Sequence, residues 1–201
     1  MAPWKALPEH LDPQAGRLVD RMRRLKDATG LSFTALAART SYSRSSWERY
    51  LNGRKLPPAE AVTGTVDHVL ALAATWTRWD GRPAHAGDRL YTPHKAIRRV
   101  ADHLIDHLAE LEARLAGEET QPDLWHASTT ATDADRAPFT PEDLDEARSR
   151  LTRLARIWAN RLEALTDEQL DHSPGEGWSF RELAAHLTES EYYADAIGDL
   201  S

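Results

Sequence analysis

The 201-residue chain contains no cysteine, which excludes disulfides, thiolate metal ligands and a cysteine nucleophile. It also lacks a long apolar run. Stretches such as Val69–Ala74 fall far short of the roughly 20 residues that a membrane helix needs. The opening residues Met1–Lys5 carry none of the apolar centre that marks a signal peptide. No segment shows a convincing strand pattern, and no internal repeat recurs at a fixed period. These absences predict a soluble, cytoplasmic, all-α protein with no membrane partner. Hydrophobic residues make up 41% of the chain, enough to build a core and to exclude global disorder.

Charge is present in both signs and unevenly spread. Residues 1–80 hold 12 Lys+Arg and 8 Asp+Glu, a balance of +4, whereas residues 81–201 hold 13 and 24, a balance of −11. Within 14–57 ten basic residues face only three acidic ones. A compact basic segment joined to an acidic one reads as a polyanion-binding module fused to a second unit. Charge alone equally allows two merely well-solvated parts.

Punctuation by Pro and Gly divides the chain further. Pro3, Pro8 and Pro13 mark residues 1–13 as an extended arm. Short helices follow, broken at Gly30, at Thr40–Ser43 and at Asn52–Gly53, and a further helix opens after Pro57-Pro58. Residues 14–80 thus form one small helical domain and 81–91 a linker. Beyond it, Ile97, Ala101, Leu104, Leu108, Leu111 and Leu115 form a bundle stripe ended by Gly117. Residues 118–140 are aperiodic and read as a long loop. Thr140-Pro141-Glu142-Asp143 carries the start signals of a helix striped by Leu144, Leu151, Leu154, Ala155, Trp158, Leu162 and Leu165. A last helix is expected from Ser179 to about Ile197. The fold class is all-α: a small helix-turn-helix domain followed by an antiparallel helical bundle over 92–201.

The stretch from Leu25 to Arg54 resembles the phage-repressor-like (XRE-type) helix-turn-helix family over about residues 14–75. The resemblance rests on Gly30-Leu31-Ser32 before a short helix, on Leu36-Ala37 inside it, and on Ser43–Leu51 followed by Asn52-Gly53-Arg54. In such a motif the second helix enters the major groove of double-stranded DNA. Ser43 is expected to cap that helix, with Arg44, Ser45 and Arg49 on its reading face. An arginine there suits the O6 and N7 acceptors of guanine. The resemblance places Asn52, Arg54 and Lys55 at the DNA backbone. Trp47 falls on the opposite side and is expected in the core. One departure is Phe33, which stands where the family often has glutamine and cannot supply that residue's hydrogen bond to phosphate.

Histidine carries the second candidate site. His103 and His107 are four apart and project from one side of a helix, beside its apolar stripe. His186 borders the stripe of the last helix. Three neutral imidazoles meeting between helices hold a divalent ion such as zinc or nickel. By spacing alone, an i,i+4 histidine pair on an exposed edge is more often a solvated face than a ligand pair. Leu104 stands where the metalloprotease motif has its general-base Glu, so that chemistry is excluded.

Leu165–Asp171, together with Gly177-Trp178-Ser179-Phe180 and the helix to His186, is similar to the DinB-like helical-bundle family over about 92–198. That resemblance implies a metal site of His186 with the His103/His107 pair. The order of the elements is altered, as by circular permutation, and only three helices follow the linker where the family has four. The missing helix is expected from 58–79 or from a second subunit.

Two functions follow. One is a DNA-binding transcriptional regulator, expected as a homodimer, whose bundle binds a divalent metal or a small-molecule ligand or mediates dimerisation. The other is a metal-dependent enzyme of the DinB-like kind, a thiol-cofactor-dependent transferase or isomerase, with Tyr192 or Glu189 as helpers to the metal.

Overall fold

The computed structural model describes residues 4–9, 11, 13–40, 42–55, 57–175 and 177–201. The described chain is all-α apart from one small hairpin. Four helices form the N-terminal part: α1 (Pro13–Thr29), α2 (Phe33–Ala37), α3 (Arg44–Leu51) and α4 (Pro58–Ala73). Ser32 and Ser43 cap α2 and α3, each accepting a hydrogen bond at 3.1 Å from an amide in the helix's first turn. The turn after α3 uses Gly53, whose φ of 65° a side chain rarely adopts, and a Cβ there would meet Leu7 and Leu11 at 3.1 and 3.0 Å.

A first core gathers Val19, Met22, Tyr42, Trp47, Tyr50 and Leu51. Trp47 is buried in it, as the wheel predicted, and its indole N–H donates to Thr40 Oγ1 at 2.9 Å. The expected arm does not project. Where it is described it lies back on this core through Trp4, Leu7 and Leu11, and Pro13 is already helical; residues 1–3, 10 and 12 lie outside the described residues. Trp4 donates to Asp27 at 2.8 Å and meets Phe33 edge-on at 6.5 Å. Phe33 therefore serves packing where the resembling family uses a polar residue.

The second core is larger. It joins α4 to α5 (Pro93–Ala116), α7 (Pro141–Glu163) and the C-terminal helices α9 (Phe180–His186) and α10 (Glu191–Asp195). Val62, Val66, Val69 and Trp76 from the α4 end meet Leu104, Leu151, Trp158 and Leu183, all within 2% of complete burial. The fourth bundle helix is thus α4 of the same chain, and no second subunit is needed to supply it.

Three sequence expectations are corrected. Residues 81–91, read as a plain linker, contain an antiparallel hairpin of β1 (Ala84–Ala86) and β2 (Arg89–Tyr91), paired Ala84 to Tyr91. Strands of three residues are too short to show alternation, so no periodic signal marks them. The loop over 118–140 contains a turn of helix, α6 (His126–Thr129), and a 3-10 turn at Ala134–Arg136. Arginines of α5 tether it: Arg98 to Asp135 at 2.7 Å, Arg99 to Ser128 Oγ at 2.9 Å. The last helix is not continuous either, because a 3-10 turn at Leu187–Ser190 separates α9 from α10. Between α7 and α9 lies the short α8 (Asp167–Asp171), opened by a Thr166/Gln169 capping box.

Candidate metal centre and nucleic-acid interface

His103 and His107 lie one turn apart on α5, and His186 ends α9 opposite them. One nitrogen from each lies within 4.8 Å of the other two. His103 Nε2 and His186 Nε2 are 3.0 Å apart. A tetrahedral ion bound at about 2.0–2.1 Å holds such nitrogens about 3.3 Å apart, so small side-chain adjustments complete the set.

Each ring is also fixed from behind. Ser190 Oγ lies 2.7 Å from His103 Nδ1, Glu110 3.0 Å from His107 Nδ1, and Glu189 3.2 Å from His186 Nδ1. Partners of this kind set the tautomer and leave Nε2 of each ring for the common centre. Burial, followed by the neighbouring His107, His186 and Arg99 charges, pushes the His103 pKa down to about 3. His103 is therefore neutral at ordinary pH, the form that ligates metal.

The 3-10 turn at Leu187–Ser190 is what brings Glu189 and Ser190 to their rings, and no Pro or Gly in 187–190 announces it. These supporting residues are what sequence reasoning missed, apart from Glu189. The His103/Ser190 relation spans 87 positions and has no local signature.

A cleft of about 450 Å³ opens over the three histidines, walled by Arg89, Trp125, Trp178 and Tyr192. Trp178 lies on His186 with ring centres 4.2 Å apart. Among the described residues, the buried Trp125 indole N–H has no hydrogen-bond partner. Beneath it Arg99, only 4% exposed, donates to Tyr193 OH at 2.9 Å and stacks on Trp125 at 4.7 Å. Beside the three imidazoles the lining sets one cation, Arg89, against two carboxylates, Asp123 and Glu189.

The expected DNA-facing residues divide into two groups. Arg44 and Ser45 stand exposed in the first turn of α3, with Arg44 paired to Glu48 at 3.1 Å, and Arg54 is exposed beyond its end. Asn52 folds back onto Glu48 O at 2.6 Å. Arg49 and Lys55 instead point towards α8, and so does the buried Ser46. Arg49 lies 3.6 Å from Asp167, Lys55 2.6 Å from Asp171, and Ser46 Oγ donates to Asp167 at 2.8 Å.

Comparison with known families decides what the first four helices are. Residues 17–74 match a family model described as a helix-turn-helix domain. The N-terminal part of this protein is a helix-turn-helix domain. The match takes in α4, so the helix-turn-helix domain and the bundle share that element. No curated protein and no solved structure matches the chain. Among the described residues, no helix is long and apolar enough to cross a membrane.

Of the remaining histidines, His94 lies 3.3 Å from Pro138 O, and the side chain of His126 lies outside the described residues. His68 meets Asp195 at 2.6 Å beside Glu191. There Arg17 already supplies the cation, 2.9 Å from Glu191.

Proposed function

We propose that this protein is a DNA-binding transcriptional regulator of the XRE type whose DinB-like bundle holds a divalent metal. The observation that carries the reading is the helix-turn-helix domain with Arg44 and Ser45 exposed at the start of α3. That is where such domains meet base edges in the major groove. Ser43, Asn52, Arg54 and Lys55 are assigned to positioning on the backbone, Arg44, Ser45 and Arg49 to the bases.

His103, His107 and His186 would hold the ion. An all-imidazole donor set, each ring backed by an oxygen, favours zinc or nickel over magnesium or calcium. In the regulator the cleft over the ion is the effector pocket. Mobility shift of a selected duplex, weakening steeply with salt, tests the DNA half, and metal analysis of untagged protein tests the other.

The reading includes a homodimer. The supporting surface lies between α5 and α7, where Ile105 and Ile157 are 46% and 44% exposed. Asp102 borders one side and Arg153 the other, where Arg150 is already paired with Glu146; an Asp102 facing the partner copy's arginine side is a pattern that a two-fold related copy complements. A mass in solution that falls from dimer to monomer in Ile157→Arg supports it; a monomeric wild type sinks it.

The same cleft favours a second reading, a metal-dependent transferase or isomerase acting on thiol conjugates. A bound ion would supply Lewis-acid activation of a thiolate or water. Tyr192 and Glu189 line the cleft beside it and would orient the substrate. Turnover of thiol-conjugated substrates that disappears in each single histidine variant is its test.

A further inference from the structure

The contact between α3 and α8 sets the nucleic-acid face against an acidic element of the same chain. Asp167 and Asp171 lie one turn apart on α8, and each carboxylate is used on both sides. Their Oδ1 atoms accept from Arg181, at 2.7 Å from Nη2 and from Nε respectively. Their Oδ2 atoms accept from the DNA-binding domain: Asp167 from Ser46 Oγ at 2.8 Å, Asp171 from Lys55 Nζ at 2.6 Å. Arg181 is only 7% exposed and also donates to Tyr50 OH at 3.0 Å, which ties α9 to α3. A buried guanidinium thus holds two carboxylates about 6 Å apart along α8, aimed at cations that the DNA reading assigns to bases and phosphates.

We propose that α8 is an internal competitor for DNA, its two carboxylates standing against Arg49 and Lys55 in place of nucleic-acid bases and backbone. The proposal rests on the DNA-binding reading above and adds its regulation. The latch is incomplete in a way that suits exchange. Arg49 Nη2 donates to Ser46 Oγ at 3.2 Å and stands 3.6 Å from Asp167, beyond hydrogen-bond distance, and among the described residues its buried Nε has no partner. Arg49 therefore has donor capacity that α8 leaves unused, and a phosphate or guanine acceptor would satisfy it. Arg44, Ser45 and Arg54 stay exposed while the latch is closed, so they make the first contacts. Full engagement then requires Asp167 and Asp171 to release their partners.

Binding of a short fluorescent duplex of arbitrary sequence tests this by anisotropy, because backbone contacts need no operator. Asp167→Asn and Asp171→Asn each keep the side-chain shape and leave Arg181 one carboxylate, so folding is preserved and checked by circular dichroism. Asp145→Asn makes the same charge change at the exposed start of α7. Each latch variant is expected to tighten binding about two- to fivefold relative to that control, the range of a partly exposed ion pair. Binding indistinguishable from the control overturns the latch while leaving DNA binding intact.

A zero-length carbodiimide cross-link between Lys55 and Asp171, mapped by peptide mass, gives a second readout. Its yield is expected to fall when duplex is added to wild type, and a yield insensitive to bound duplex counts against the proposal. A cross-link that forms in protein whose wild type and variants bind no duplex at all removes the DNA-binding reading, and the competition with it.

Discussion

His103 and His186, 83 positions apart, face each other nitrogen to nitrogen at 3.0 Å. One of the two Nε2 atoms must carry a proton for that contact to be a hydrogen bond, and an ion at the centre would replace it. The same pair joins α5 to α9, so a ligand at this point also fastens the bundle.

Stoichiometric zinc or nickel is expected in protein purified without a histidine tag, and its loss in each of His103→Ala, His107→Ala and His186→Ala. Free ion at 100 times its dissociation constant should stabilise the wild-type fold by about 2.7 kcal/mol. Elemental analysis and melting curves check both. Metal content unchanged in His186→Ala would reduce the centre to a surface pair on α5.

Arg44→Ala is expected to weaken binding to a selected operator by about 1–3 kcal/mol without unfolding the protein, because it removes a base contact. Arg54→Ala should weaken binding to all sequences and flatten the salt slope by about one unit. Operator and scrambled duplexes titrated over a salt series separate the two effects. An Arg44→Ala protein that keeps wild-type discrimination would move the reading face elsewhere.

The α3–α8 contact should loosen in acid. Burial raises the Asp171 carboxyl pKa, but hydrogen bonds and charge from Lys55 and Arg181 outweigh it and hold the group below its ordinary range. A carboxyl whose folded pKa lies below its unfolded value, about 3.9, adds stability above that pH and loses it as pH falls through the folded value. Urea midpoints of wild type should therefore drop more between about pH 5 and pH 3 than those of Asp171→Asn. Parallel curves would mean that the ion pairs contribute nothing net.

Because α4 belongs to the bundle core, a fragment comprising residues 81–201 should not fold as the intact chain does. It loses Val62, Val66, Val69 and Trp76, all fully or almost fully buried, and uncovers the faces they packed on. Dye binding to exposed apolar surface and a non-cooperative melt are the expected signs. In the full chain, Leu151→Ala should cost about 2–5 kcal/mol. A fragment that melts cooperatively would show that the bundle stands without α4.

What the sequence alone determined is what local chemistry encodes. Ser43 and Thr140 cap their helices because a hydroxyl before an apolar-periodic run satisfies free amides there. The stripes through Leu104, Leu151, Trp158 and Leu183 predicted the buried faces, since burial follows the 3.6-residue period. Gly30 and Gly117 mark helix ends with left-handed backbone that other residues avoid. The i,i+4 spacing of His103 and His107 put two ligands on one side of α5.

Tertiary structure decided which surfaces meet. Nothing local says that α4 closes the bundle, that a 3-10 turn carries Ser190 to His103, or that Asp167 and Asp171 turn towards Arg49 and Lys55. Arg49 reads from the wheel as an open reading-face residue. It becomes a half-engaged one only because Arg181, 132 positions later, anchors an acidic turn against it. Such pairings depend on the summed packing of two cores, and a short-range pattern carries no record of them.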